Sequence, residues 1–210
     1  MLNIYLTRHG ETKWNRENRL QGWRDSELTD EGVENAVLLG NRLSEFEFTT
    51  IYSSSSNRAL NTAKYICLDR EIPIVVVEEL KEISFGEWEG RTQAEIEEDF
   101  QEEYSNFWLA PHKYNHLPHN AESLSEFKIR VEKAMKNILE TNSSGNILIV
   151  THGVVIKALM SFFWNIPIEK MWDPPFIEGT SLSLIRWNGI EFHKELLGDT
   201  LHMRKHIIES

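Results

Sequence analysis

Apolar runs alternate along the chain with segments in which apolar residues recur every three to four positions. The β-branched and apolar runs predict buried strands at 3–7, 51–53, 72–77 and 147–150. The segments of helical period predict helices over about 30–46, 59–66, 127–139 and 154–164. Strands that alternate with helices are typical of an α/β fold, so we expect a three-layer α/β/α arrangement around a mostly parallel sheet.

Two local signals refine this arrangement. The serine-rich stretch 53–56 precedes a helical segment and is expected to cap its N-terminus. Asn188-Gly189 lies between strand-like runs at 181–187 and 190–196, which predicts a type I′ hairpin. We therefore expect an antiparallel portion at the C-terminal end of the sheet.

The stretch from about 87 to 120 interrupts the alternation. It contains an acidic run at 95–103, two aromatic residues and a loop rich in histidine and proline. It is too short for a core of its own, so we expect a helical insertion over one edge of a single domain spanning 1–210. The prolines in the loop favour a surface or cleft-rim position, with no metal site, for His112, His116 and His119.

Composition and charge narrow the class of protein. The 210 residues are 40% hydrophobic and 26% charged, as in soluble globular proteins. Lys plus Arg number 22 and Asp plus Glu 33, so the net charge of −11 argues against nucleic-acid or anionic-membrane partners. Neither a signal peptide nor a membrane-spanning stretch is expected, and the single cysteine, Cys67, excludes an intramolecular disulfide. We expect a cytoplasmic protein.

Basic residues and histidines follow the predicted strands. Arg8 and His9 come directly after the first strand, His152 follows the 147–150 strand, and Arg58 lies in the first turn of a helix. Ligands of open α/β sheets bind beyond the carboxyl ends of the strands. If the two strands are neighbours, two arginines and two histidines form a pocket for a doubly charged oxyanion.

A carboxyl group near such a pocket is suited to general acid catalysis. The residue chemistry alone does not choose among five candidates, which are Glu78, Glu79, Glu82, Glu87 and Glu89. Four tryptophans lie in segments that could line the mouth of the pocket, namely Trp14, Trp23, Trp88 and Trp108.

Four motifs in order resemble those of the histidine phosphatase superfamily, whose fold is phosphoglycerate-mutase-like. They are Arg8-His9-Gly10-Glu11-Thr12 with Asn15, Leu20-Gln21-Gly22-Trp23, Ser53-Ser54 through Arg58-Ala59, and Thr151-His152-Gly153. The resemblance extends from Ile4 to about Leu184. Any one motif is weak, whereas four in the family's order are strong.

The resemblance implies a role for each matching residue. His9 would be the nucleophile that becomes phosphohistidine, and Glu82 would donate a proton to the leaving oxygen. Arg8, Arg58 and His152 would bind the phosphoryl oxygens. The remaining matches would add substrate contacts, and they are Asn15, Gln21, Gly22 and Gly153. No cofactor and no metal are implied.

The segment 85–90 resembles the phosphatase branch more than the glycolytic mutases. Acids between Glu87 and Glu103 stand where mutases carry basic residues for a second phosphate. The expected function is a metal-independent phosphomonoesterase of the histidine acid phosphatase type that acts on small phosphorylated metabolites. A phosphoglycerate mutase and a non-catalytic phospholigand-binding protein remain alternatives.

The expected partner is the small phosphomonoester substrate. The C-terminal segment 201–208 is a candidate to pack on its own chain or on a partner, so a homodimer is left open beside a monomer.

Overall fold

The computed structural model describes residues 1–203. Its strands are β1 (Leu2–Arg8), β2 (Thr50–Ser54), β3 (Ile74–Val77), β4 (Gly145–Thr151), β5 (Leu182–Trp187) and β6 (Phe192–Asp199). Its helices are α1 (Lys13–Arg16), α2 (Asp30–Arg42), α3 (Asn57–Cys67), α4 (Gln93–Leu109), α5 (Leu124–Thr141) and α6 (Gly153–Trp164). The segment 204–210, and with it most of the 201–208 prediction, lies outside the described residues.

The six strands form one sheet in the order β3-β2-β4-β1-β5-β6. The pairs β3–β2, β2–β4 and β4–β1 are parallel, whereas β1–β5 and β5–β6 are antiparallel. The predicted mixed α/β fold, with its antiparallel portion at the C-terminal end, is confirmed. Because β4 inserts between β2 and β1, the carboxyl ends of three strands meet at one edge of the sheet.

Helices cover both faces of the sheet, and the alternation of side chains along β4 shows why. Ile147 and Ile149 belong to the buried cluster that includes the apolar faces of α5 and α6. Leu148 and Val150 point to the opposite face and join the cluster formed with α2 and α3. A strand buried on both faces has this continuous apolar sequence.

The insertion packs into the core of the main domain. Trp88, Ile96 and Phe107 are fully buried in the same cluster as the α5 and α6 side chains. The acidic residues of α4 lie mostly on its solvent side. The insertion therefore adds a wall to the fold rather than a separate core.

A helix end and a turn are among the features that differ from the sequence predictions. The helix predicted to reach 46 ends at Arg42. The type I′ hairpin is wrong, because that turn needs positive φ at both central residues and only Gly189 has it, at 98°. Asn188 instead accepts hydrogen bonds from the backbone N–H groups of Ile190 and Glu191, at 2.8 and 2.9 Å, which favours a four-residue connection.

Within residues 1–203, no helix is both long and apolar enough to cross a membrane.

Candidate active site

The two predicted histidines meet because β1 and β4 are neighbours. Arg8 pairs in register with Thr151, so His9 and His152 each follow at the same level of the sheet. The backbone N–H of His9 donates to the Thr151 carbonyl at 2.8 Å. The ring centroids of the two histidines are 5.2 Å apart. The strand ends thus bring together two side chains that are far apart in the sequence.

The hydrogen bonds of His9 define its tautomer. Its Nδ1 lies 2.8 Å from the Gly10 carbonyl, which can only accept, so Nδ1 carries the proton. Burial, followed by the positive charges of Arg58 and Arg8, lowers the pKa of His9 well below its usual value. The imidazole is therefore neutral near pH 7 and has its lone pair on Nε2, within 3.3 Å of Arg58 Nε.

Arg58 connects most of the site. Its side chain is 1% exposed, and its Nη1 donates to the Arg24 carbonyl at 2.8 Å and to Asp25 Oδ1 at 3.0 Å. Its Nη2 donates to the Gly22 carbonyl at 2.8 Å and to His152 Nδ1 at 3.2 Å. These bonds fix the guanidinium plane between the two histidines, where its positive charge can stabilise an anion.

The serine-rich turn positions His152. Its Nε2 lies 2.8 Å from Ser54 Oγ and 3.1 Å from Ser56 Oγ. Because Arg58 can only donate to Nδ1, the proton of the neutral ring is on Nε2 and points to the serines. Burial, then the charge of Arg58, lowers the pKa of His152 well below its usual value.

The prediction that the serines cap α3 is wrong. Ser56 occupies the N-cap position but makes no side-chain capping bond. The carboxylate of Asp25 accepts instead from the backbone N–H groups of Asn57, at 2.5 Å, and Arg58, at 3.4 Å. Asp25 also pairs with Arg58 Nη1, so it stabilises both the helix start and the arginine that projects from it. No local sequence pattern marks Asp25 for this role.

Among the five candidate carboxyl groups, Glu82 is the one that lines the cleft. Its two oxygens accept from the backbone N–H groups of Ile83 at 3.0 Å and Val154 at 3.2 Å. Burial raises the pKa of Glu82 above its usual value, although those bonds and the two arginines oppose the shift. A carboxyl group that keeps its proton more readily than usual is suited to donate it.

Glu89 is a buried anchor rather than a second acid. Its Oε1 accepts from the backbone N–H groups of Trp23 at 2.9 Å and Phe85 at 3.0 Å, and its Oε2 from that of Arg24 at 3.1 Å. It therefore connects the loop after α1 to the loop that carries Glu82. Gly22 has a φ of +55°, and a Cβ there would lie 2.2 Å from Glu89 Oε1.

Arg8 and Gly153 complete the inner end of the cleft. Arg8 Nη1 donates to the Ile177 carbonyl at 2.9 Å, whereas its buried Nε has no partner within residues 1–203. Gly153 begins α6, and a Cβ on it would lie 3.8 Å from Arg8 Nε. An orphaned guanidinium N–H beside a helix N-terminus favours an anion at this point.

Asn15 and Gln21 line the same cleft. The amide oxygen of Asn15 accepts from the backbone N–H and the hydroxyl of Thr12, both at 3.1 Å. Its amide nitrogen is thereby left as a donor for a ligand. Gln21 is buried, and its side-chain oxygen has no partner in the described chain. Eight of the nine predicted site residues therefore line one cavity, and the ninth, His152, is fully buried behind Arg58.

The cleft has a volume of about 720 Å³, and aromatic residues form part of its lining. Trp108 lines it as predicted, whereas Trp14, Trp23 and Trp88 do not. Trp23 donates from Nε1 to the Glu82 carbonyl at 2.9 Å, and Trp88 is buried in the core. Trp172 also lines the cleft, and its sequence segment carries no helix or strand pattern that would predict this.

The prediction of a surface or rim position is wrong for His119. This ring is fully buried and stacks on Trp88 with centroids 3.8 Å apart and planes inclined by 5°. Its Nε2 lies 2.8 Å from the hydroxyl of Tyr114. Burial lowers the pKa of His119 to about 4. His112 is exposed and His116 is half-buried, so the three rings lie in different environments.

The charge of the cleft opposes that of the whole chain. Its charged side chains are the cations Arg8, Arg19, Arg58 and Lys157 and the single carboxyl group of Glu82. The chain as a whole has a net charge of −11. A cleft with excess positive charge attracts an anionic ligand despite the acidic surface around it.

Comparison with known proteins places this geometry in a family. Residues 4–200 match the model of the histidine phosphatase superfamily (branch 1). The structure superposes on Bacillus stearothermophilus YhfR with a TM-score of 0.93 and 43% identity, covering 97% of this chain and 100% of that one.

Two curated relatives have different names. The adenosylcobalamin/alpha-ribazole phosphatase of Escherichia coli (strain K12) is 32% identical over 197 residues, which cover 92% of each protein. A protein of Escherichia fergusonii named "Probable phosphoglycerate mutase GpmB" is 33% identical over 167 residues, covering 80% of this chain and 77% of the relative. The match over nearly the whole chain shows that this protein belongs to the histidine phosphatase superfamily.

Proposed function

We propose that the protein is a metal-independent phosphomonoester hydrolase that acts on small phosphorylated metabolites through a phosphohistidine on His9. The observation that carries the proposal is the state of His9. Its proton is fixed on Nδ1 by the Gly10 carbonyl, and its Nε2 lone pair lies in a cationic cleft. A neutral imidazole with an unprotonated Nε2 is the nucleophilic form, and a substrate would take the place of Arg58 Nε, which donates to this atom at 3.3 Å.

In the first step, the Nε2 lone pair of His9 attacks phosphorus and the bond to the leaving oxygen breaks. Glu82 donates its proton to that oxygen, so the product leaves as a neutral alcohol. Arg8 and Arg58 stabilise the charge that develops on the phosphoryl oxygens, and His152 positions Arg58 through the 3.2 Å contact between its Nδ1 and Nη2. This is the chemistry of the histidine acid phosphatase type.

In the second step, a water molecule attacks the phosphohistidine. Glu82, now a carboxylate, accepts a proton from the water while the P–N bond breaks and the electron pair returns to Nε2 of His9. Inorganic phosphate leaves, and the acid is again protonated. One carboxyl group can serve both steps because its raised pKa lies closer to neutral pH than that of an exposed glutamate.

The outer cleft favours hydrolysis over mutase transfer. The sequence prediction based the preference for hydrolysis on the acids between Glu87 and Glu103. The acids of α4 mostly face solvent, so the preference needs a different reason. The α4 side chains that line the cleft are the neutral residues Gln93, Tyr104 and Trp108. Because the α4 wall is neutral and aromatic, α4 provides no cations for a second phosphate, which favours water as the acceptor.

The proposal is tested by hydrolysis of p-nitrophenyl phosphate with excess EDTA between mildly acidic and neutral pH. We expect turnover that resists EDTA and is abolished in His9→Ala. His112→Ala is the matched control, because His112 is exposed and outside the cleft. Turnover that persists in His9→Ala would refute the assigned nucleophile, and loss of turnover in EDTA would refute metal independence.

Two outcomes would instead favour the alternatives. Phosphate transfer from 2,3-bisphosphoglycerate to 3-phosphoglycerate that is faster than hydrolysis would indicate a mutase. Binding of inorganic phosphate without any turnover would indicate a non-catalytic phospholigand-binding protein. The raised pKa of Glu82 argues against the latter, since anion binding alone does not need an acid.

A further inference from the structure

A buried lysine lines the cleft outside the phosphoryl pocket. Lys157 lies on α6 and is 9% exposed. Its Nζ donates to the carbonyl of Asp173 and, at 2.6 Å, to the carbonyl of Pro175. Within residues 1–203 it forms no ion pair with a carboxylate. The carboxylate of Asp173 is exposed and attracts it only from a distance.

A buried ammonium without a counterion is unfavourable unless something else pairs with it. The two carbonyl oxygens satisfy two of its three donors and leave one for a ligand. Of the other cations of the cleft, Arg8 has its unpartnered Nε at the phosphoryl pocket, and the remaining two are already occupied. Arg58 bonds within the site, and Arg19 bonds to Glu17 and to the Gly90 carbonyl. Lys157 is therefore the cation with unused bonding capacity in the outer cleft.

The geometry of α6 indicates where the remaining N–H donor of Lys157 lies relative to the phosphoryl pocket. Lys157 follows Gly153 by four positions, and both residues line the cleft, so they share one face of α6. Four residues correspond to a rise of about 6 Å along the axis. Side chains on a helix lean toward its N-terminus, which brings the ammonium back toward the phosphoryl pocket. A second anionic group of the ligand would thus bind about one helical turn from the phosphorus.

We propose that Lys157 binds a carboxylate on the alcohol part of the substrate and selects phosphomonoesters of small hydroxy acids. One ammonium balances one carboxylate charge, whereas a second phosphate group would bring about two negative charges. A spacer of two to four atoms between the two anions matches the separation along α6. Trp108 and Trp172 line the same part of the cleft and reduce the water that would weaken the pair.

This proposal rests on the proposed phosphomonoesterase activity and is tested with a matched pair of substrates. O-phosphoserine and O-phosphoethanolamine differ by one carboxylate. The readout is the ratio of their kcat/KM values. We expect wild type to prefer O-phosphoserine and Lys157→Met to reduce the ratio by about tenfold or more, mainly through KM, as expected for one lost bond to a charged group. Lys157→Arg should retain a preference because it retains the charge.

Lys133→Met is the control, since it removes one exposed positive charge from α5. It should leave the ratio unchanged. If Lys157 only stabilised the loop that carries Asp173, Lys157→Met would lower kcat/KM for both substrates alike and leave their ratio unchanged. That result overturns the proposal. A wild-type ratio near one overturns it without any variant.

Failure of the proposed function gives a different result. In that case wild type turns over neither substrate nor p-nitrophenyl phosphate, whereas failure of the carboxylate proposal leaves turnover intact and removes only the discrimination.

Discussion

Replacement of Glu89 by alanine removes the anchor between two loops of the cleft. Three backbone N–H groups lose their acceptor, a buried one of Phe85 and two partly buried ones of Trp23 and Arg24. Each unsatisfied buried donor costs about 1–3 kcal/mol, and water that enters the space recovers part of this. We expect a loss of about 4 kcal/mol in the free energy of unfolding, a large share of the about 5–15 kcal/mol of a typical domain.

The assay is thermal unfolding together with steady-state kinetics. In a domain of this size, 1 kcal/mol corresponds to about 2–4 °C in Tm, so Glu89→Ala should lower Tm by roughly 8–16 °C. Glu89→Gln retains one acceptor oxygen and should lower Tm by about half as much. Because Glu82 lies on one connected loop and Gln21 on the other, kcat should also fall in the folded variant at low temperature.

The control is Glu87→Ala, two positions away. Glu87 is exposed and accepts a hydrogen bond from Asn120 Nδ2 at 2.7 Å. Loss of the Glu87 side chain and its hydrogen bond should change Tm by less than about 2 °C. A Tm of Glu89→Ala within about 3 °C of the Glu87→Ala value would refute the reasoning, because it would mean that the three donors find water at little cost.

Three further predictions concern titration and positioning. Glu82→Gln should lower kcat/KM by about 10²–10⁴-fold. It should also remove the fall in activity expected of wild type as rising pH deprotonates Glu82, and a pH profile that still falls on the basic side would contradict the role of Glu82 as the acid. Ser54→Ala should lower kcat by about fivefold through one lost hydrogen bond to His152, with KM nearly constant, whereas an equal rise in KM would point to general loosening of the site. The pKa of His119 is about 4 in the folded protein against 6.5 unfolded, so its contribution to stability is complete above pH 6.5 and falls by about 2 kcal/mol by pH 5. His119→Phe should therefore flatten the dependence of Tm on pH in that range, and an equally steep dependence would refute this.

The parts of the site that follow strands could be predicted from the sequence. His9 and His152 come directly after apolar, β-branched runs, and the rule that ligands bind at strand ends locates both. The choice of Glu82 among five glutamates came from the resemblance to a family. Its own chemistry is set by burial, which no local pattern encodes.

Other features depend on contacts between distant segments. Asp25 and Glu89 look like ordinary acidic residues, because the N–H groups that they accept from belong to other loops. His119 lies in a loop rich in proline, and only the tertiary structure shows that it stacks on Trp88. The Asn188-Gly189 turn was predicted from a dipeptide preference, whereas the side chain of Asn188 stabilises a longer connection.

The position of β4 between β2 and β1 has a consequence for folding. A nascent chain that has emerged only as far as β3 contains His9 and Arg58. However, it still lacks β4 (Gly145–Thr151), the strand that lies between β1 and β2 and pairs with both. Pairing across such a sequence separation is slow, because the entropy of closing a long loop is lost before the contacts form. Recovery of activity during refolding should therefore coincide with the last long-range step, which makes catalysis a direct reporter of completed sheet assembly.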